Sequence, residues 1–332
     1  MDKKEYNMDV VLREARDMVG LLSLVTQIKD GPLVIVNMIK FACYYVNELA
    51  VYLKLPTSGL RYKKIYEKTR AKIKPFNNAG ELFGCLEKYY RNAYKNYVLS
   101  ASFLVRPLCR EVGVFYCNGR AISNTVGTHA ENSYIIGKDL AGIDGIRIVD
   151  ISRECGEFLS SVAGEGEEVR FLNGNRMEAK DKRLMARLRP MFKKDFRKID
   201  SLAYLNELCL VNYCSLIILN NTCRELRVRL SYIILNKVLS ELKIINESIP
   251  VVGIDDIVSE YSVFLDNREL RNCMYHLDFS NSLCSHVEPT KLYGGLIEEK
   301  TGLKDIEYLE MVFGALYNIS ELLSSKVVAC DG

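Results

Sequence analysis

The chain has 332 residues, 48% of them hydrophobic, which is enough for two or three segments with cores of their own and excludes a disordered protein. With 45 Lys and Arg against 42 Asp and Glu, the net charge of +3 gives no global field that points to nucleic acid, so any such partner has to be read from local clusters. Eleven cysteines, an odd number with no Cys-x-x-Cys pair, and no signal-peptide pattern fit reduced thiols in a cytoplasmic chain better than a disulfide framework.

Residues 1–110 read as a helical N-terminal region. Apolar positions such as Val10, Val11, Ala15, Val19, Leu22 and Val25 recur at three- and four-residue steps, and Gly31-Pro32 punctuates the first helix from the second. The second, Leu33 to Val51, is the longest apolar stretch. Asn37, Lys40, Asn47 and Glu48 interrupt it at a heavy cost to a bilayer core, so a buried helix is expected and no membrane partner. Further helices are expected over about 60–73 and 81–105, separated by Pro75. This region offers no recognisable ligand set.

Residues 111–198 form a small irregular or β-containing insertion. Short apolar runs at Val112 to Cys117, Ser133 to Gly137 and Gly145 to Val149, bounded by turn residues, predict strands. The glycines at Gly137, Gly142, Gly145, Gly164 and Gly166 do not match a phosphate cradle, which excludes a dinucleotide site; no cofactor is expected. The insertion ends in a basic segment. Lys180, Lys182, Arg183, Arg187, Arg189, Lys193, Lys194, Arg197 and Lys198 are interleaved with Met185, Leu188, Met191, Phe192 and Phe196. Such a segment suits contact with RNA phosphates, and a solvated helix with long side chains over a core gives the same pattern.

Helical periodicity returns over 199–332, where Leu202, Leu205, Leu208, Leu226, Leu230, Ile233, Ile234 and Val238 supply core faces. A further helix runs from about Asp255 toward Arg271, and a last one from Lys304 to Lys326. The fold class is therefore mainly α, closing in a C-terminal bundle of four or five helices.

Within that bundle lies Arg271-Asn272-Cys273-Met274-Tyr275-His276. The chain has three histidines, so one set five residues after an arginine is a scarce group in a specific relation. On a helix Asn272 and His276 share a face, with Arg271 about 100° around from Asn272. Arginine offers a permanent planar set of donors for phosphate oxygens, and histidine exchanges a proton near neutral pH. An amide beside the histidine can orient it. These groups suffice for half of an RNA cleavage without a metal ligand: histidine assists the ribose 2′-hydroxyl or protonates the leaving oxygen, and arginine stabilises the phosphorane.

Arg271-Asn272-x-x-x-His276, preceded by Leu270 in a helical bundle, resembles the signature of the HEPN ribonucleases. That resemblance covers the last 130 or so residues of the chain. It implies a metal-independent endoribonuclease with Arg271, Asn272 and His276 as catalytic residues, in a composite site built from two such motifs. It also implies antiviral defence, abortive infection or growth arrest as the setting, with an antitoxin or a defence-complex partner. Inactive members of the family bind RNA or protein without cutting, and others are parts of CRISPR-type effectors; both alternatives stay open.

Arg91-Asn92-Ala93-Tyr94-Lys95-Asn96 is an echo of the motif with Asn96 in the place of the histidine. An amide cannot transfer the proton, so a homodimer bringing two copies of Arg271 and His276 together is the favoured arrangement. A second basic cluster, Arg61 to Lys74, carries Tyr62 and Tyr66, residues suited to stacking on RNA bases or to half-buried packing. His286, near Cys284 and Glu288, matches no zinc spacing, and His129 has no nucleophile or ligand set nearby in sequence; no metal site is expected.

Overall fold

The computed structural model describes residues 3–27, 31–72, 76–100, 111–128, 130, 145–165, 177–183, 198–220, 223–250, 252–262, 267–280, 282–288 and 290–328. It is mainly α with a small β insertion. The helices are α1 (Lys3–Gln27), α2 (Gly31–Tyr52), α3 (Lys63–Lys72), α4 (Ala79–Ser100) and α5 (Gly145–Ala163), followed by α6 (Lys198–Asn220), α7 (Arg224–Ser248), α8 (Ile254–Glu260), α9 (Arg268–His276), α10 (Ser282–His286), α11 (Tyr293–Thr301) and α12 (Asp305–Val328). The strands are β1 (Glu111–Cys117), β2 (Arg120–Asn124) and β3 (Met177–Arg183), in the antiparallel order β2-β1-β3. Among the described residues no helix is long and apolar enough to cross a membrane.

The hairpin β1-β2 turns on Asn118-Gly119, both at positive φ (50° and 79°), the two-residue connection whose twist matches that of the strands. The expected strand at Gly145 to Val149 is instead the first turns of α5. Its apolar residues continue as Ile151, Cys155 and Leu159, all buried on one face, and that helical period overrides the short β-branched run. The expected strand at Ser133 to Gly137 lies outside the described residues. The helix expected from Asp255 toward Arg271 is two helices: α8 stops at Glu260, and Asn267 starts α9 afresh.

The segment boundary at 199 does not separate two cores. α6 packs on β2 and α12, while α1 packs on α5, α2 and α7, so one buried cluster runs from Val10 to Val327. Asn212 of α6 donates to the Ala121 carbonyl (2.9 Å) and accepts from Ser320 of α12 (2.7 Å), a polar rivet between insertion and bundle. At Gly127 a Cβ would fall 1.7 Å from Oδ1 of Asn206, so any larger residue there requires the Asn206 side chain to move aside.

At the centre sits a buried ion pair. Arg229 of α7 and Glu14 of α1 are both inaccessible, with Nη1 3.2 Å from Oε2. The Tyr45 and Tyr293 hydroxyls each lie 3.1 Å from the same carboxylate oxygen, and the guanidinium lies over both rings. Burial is the largest influence on Glu14 and raises its pKa from 4.5 to about 7, against the opposing pull of Arg229 and the two hydroxyls.

Replacing Arg229 with Met strands Glu14 and is expected to destabilise the fold by about 3–5 kcal/mol in urea melts. Between about pH 4.5 and 7 native Glu14 holds a proton that the unfolded chain has released, so its contribution to stability is full below that window and lost as pH rises through it. Relative to Glu14→Gln, which cannot titrate, wild-type stability should fall with pH across the window at a slope of up to about 1.4 kcal/mol per unit. A difference that is flat with pH would contradict this.

Candidate functional site

α9 is short, nine residues, and both its ends are fixed by named groups. At the start, the Asn267 side chain accepts from the Leu270 N–H at 2.7 Å, with Glu269 in the first turn where the helix dipole favours negative charge. At the end, the Leu277 and Asp278 N–H groups turn back to the Asn272 carbonyl. Leu277 adopts φ 51°, a left-handed conformation that favours glycine, and its buried side chain holds it there. Met274, two residues before His276, gives its carbonyl to Nε of Arg229 at 2.7 Å. The buried guanidinium thus satisfies a last-turn carbonyl and sets positive charge at the C-terminal end of the helix.

The sequence of α9 divides its faces. Leu270, Cys273, Met274 and Tyr275 are buried, while Arg271, Asn272 and His276 are partly accessible. Tyr275 packs edge-on to Tyr44 of α2 and Tyr232 of α7, with its hydroxyl donating to the Ile233 carbonyl at 3.2 Å. Burial pushes the Tyr275 and Tyr232 phenols upward, so both stay neutral; the Arg271 guanidinium is among the weaker, opposing influences on each. Among the described residues Arg271 makes no side-chain hydrogen bond or ion pair of its own.

His276 leans toward α2. Its Nδ1 lies 3.2 Å from Oε2 of Glu48, whose side chain is fully buried while that of His276 is 30% exposed. The other oxygen of Glu48 accepts from Nδ2 of Asn47 at 3.2 Å. Asn47 also lines an open pocket of about 540 Å³ between the end of α2 and α3, with Ala50, Val51, Lys54, Leu55, Thr57 and Glu67. Beyond α9, Phe279 packs against Tyr52 and Tyr293 and ties the exit of the motif to α2 and α11. The group beside the imidazole is therefore Glu48, and Asn272 contributes its main-chain carbonyl to the helix end. Glu48 belongs to the region in which no ligand set was recognised. A carboxylate inside an otherwise apolar helix was its one visible signal.

Cys273 and Cys284 bring their Sγ atoms to 3.3 Å between α9 and α10. His286 is exposed at the end of α10, and among the described residues no three His, Cys, Asp or Glu side chains cluster as a metal site. His129 lies outside the described residues.

The basic segment is only partly seen. Lys180, Lys182 and Arg183 belong to strand β3 rather than to a helix, and Lys198 opens α6; Arg187, Arg189, Lys193, Lys194 and Arg197 lie outside the described residues. Lys180 pairs with Glu178 at 2.7 Å and lies over the Tyr116 ring. In the second basic cluster Tyr66 is buried and its hydroxyl donates to Glu154 at 2.7 Å, so it is a packing residue and cannot stack on a base. The Arg91 to Asn96 echo is on α4, with its side chains outside the described residues.

Compared with known proteins, the chain matches no family model, no curated protein and no solved structure at a significant level.

The cap on α9 is open to test. Asn267→Ala should cost about 1 kcal/mol, seen as faster amide exchange at Leu270 and its neighbours in α9, with α12 unchanged. Equal loosening of α12 would mean that Asn267 supports the whole fold and not this helix.

Proposed function

We propose that this chain is a HEPN-type endoribonuclease that cleaves single-stranded RNA without a metal cofactor, through a composite site formed when two copies place their α9 helices on one groove. The observation that carries this reading is the pairing on one short, doubly anchored helix of a guanidinium with no side-chain partner among the described residues and a partly exposed imidazole held by a buried carboxylate.

Arg271 holds the scissile phosphate and stabilises the charge that develops on it. His276 of one copy takes the proton from the ribose 2′-hydroxyl. The 2′-oxygen then bonds to phosphorus as the bond to the 5′-oxygen breaks, and His276 of the second copy, protonated, delivers a proton to that leaving oxygen. The products are a cyclic 2′,3′-phosphate and a 5′-hydroxyl. One imidazole cannot be base and acid in the same step, which is why the reading needs a homodimer. Cleavage of cellular or invading RNA by such a protein suits antiviral defence or growth arrest in the cytoplasm, restrained by an antitoxin or a defence-complex partner.

Purified protein incubated with labelled single-stranded RNA should leave cyclic phosphate ends, with or without chelator. Arg271→Ala and His276→Ala should each lower the rate by about 100-fold or more, since positioned proton transfer and charge stabilisation are each worth that much. Full activity in both variants sinks the proposal, and RNA binding without cleavage by the wild type favours a non-catalytic binding module.

A further inference from the structure

The contact between His276 and Glu48 says more than that the ring is held, because its two nitrogens are not equivalent. Nδ1 meets Oε2 of a carboxylate buried on α2, and the ring itself is 30% exposed. An ionised carboxylate only accepts hydrogen bonds. Oε1 of Glu48 already accepts from Nδ2 of Asn47, an arrangement that offers two donors to the two carboxylate oxygens if Nδ1 carries its proton. A neutral imidazole so held keeps N–H at Nδ1 and presents a bare Nε2, the acceptor that a general base must have.

We infer that Glu48 is a positioning residue for His276. It fixes the Nδ1–H tautomer and ring orientation, so that Nε2 is the atom that takes the 2′-hydroxyl proton and, in the protonated copy, gives one to the leaving oxygen. The catalytic part of this inference rests on the ribonuclease reading, whereas the tautomer does not. The placement of Glu48 supports the role. Its helix is anchored on both sides of the contact, by Tyr45 on the Glu14 and Arg229 network and by Tyr52 on Phe279, so the backbone that carries the carboxylate is held in place. The imidazolium formed during proton transfer also gains a buried counter-charge, as a carboxylate behind a catalytic histidine provides in other hydrolytic sites. Asn47 gives the carboxylate a second donor and at the same time lines the neighbouring pocket, so the support of His276 borders a recess able to hold part of a ligand.

The chain has three histidines, so ¹⁵N-histidine labelling yields three imidazole patterns, and His276→Asn assigns the one that matters. At a pH where the ring is neutral, wild-type His276 should show a protonated Nδ1 and an unprotonated Nε2. Glu48→Ala should lose this preference and revert to Nε2–H, the form an unconstrained ring favours. Glu48→Gln should weaken it, because its NH2 group competes with its oxygen for the place that faces Nδ1 and the charge is gone. In cleavage assays both variants should lower kcat by about 100-fold with KM little changed, the size of a positioned proton transfer, while circular dichroism confirms that they fold.

An Nε2–H tautomer in the wild type, as a protonated Glu48 donating to Nδ1 would impose, overturns the inference, and that measurement needs no variant to fold. Unchanged tautomer in both Glu48 variants overturns it as well, as does wild-type cleavage by them. A wild type that shows the Nδ1–H form and cleaves no RNA leaves the positioning in place and removes the ribonuclease reading instead.

Discussion

A guanidinium that never loses its charge, enclosed in a helical core, must find its acceptors inside the protein. Arg229 finds them on two helices at once, the Glu14 carboxylate of α1 and the Met274 carbonyl of α9. The rest of the interior is arranged around that demand. Tyr45 and Tyr293 cover its faces and direct their hydroxyls to the same carboxylate, which brings α2 and α11 to the pair. Such a pair is weak evidence for net stability, because desolvation offsets most of the attraction. Its value here is registry: five helices meet at one point with little freedom to slide, and α9 enters with its carbonyl already spoken for.

The candidate site inherits its geometry from that point. α9 is too short to be stable alone, and its inner face of Leu270, Cys273, Met274 and Tyr275 is held by tertiary contacts. Rigid anchoring of the inner face is what allows Arg271 and His276 to be half exposed without being mobile. His276 leans toward Glu48 of α2, and the Arg271 guanidinium is near enough to Tyr232 of α7 to act on it electrostatically.

Much of this was legible in the residues and some was not, for physical reasons. The mainly helical architecture and the motif helix followed from apolar spacing, which tertiary packing rarely contradicts when it runs for several turns. The start at Gly145 failed because five residues are too few to tell a strand from the first turns of a helix. The Asn118-Gly119 hairpin carries a local signal of its own, an Asn-Gly pair with both residues at positive φ. Glu48 shows the deeper limit. Lys40, Asn47 and Glu48 were seen as obstacles to a membrane span, and each is indeed buried among protein atoms. That Glu48 would face His276 is a matter of contact across 228 residues, and no local pattern encodes it.

That separation bears on when the protein becomes what it is. Glu14 and Glu48 leave the ribosome before Arg229, His276 and Tyr293, and the hydroxyl of Tyr293 closes on Glu14 across 279 residues. Until α7, α9 and α11 have been made, Glu14 lacks Arg229 and Tyr293, Glu48 lacks His276, and the motif has no scaffold. On the ribonuclease reading, the nascent chain is harmless to the message that encodes it and to the ribosomal RNA around it. On that reading competence waits for α9, and a chain cut short ahead of that helix carries none of it.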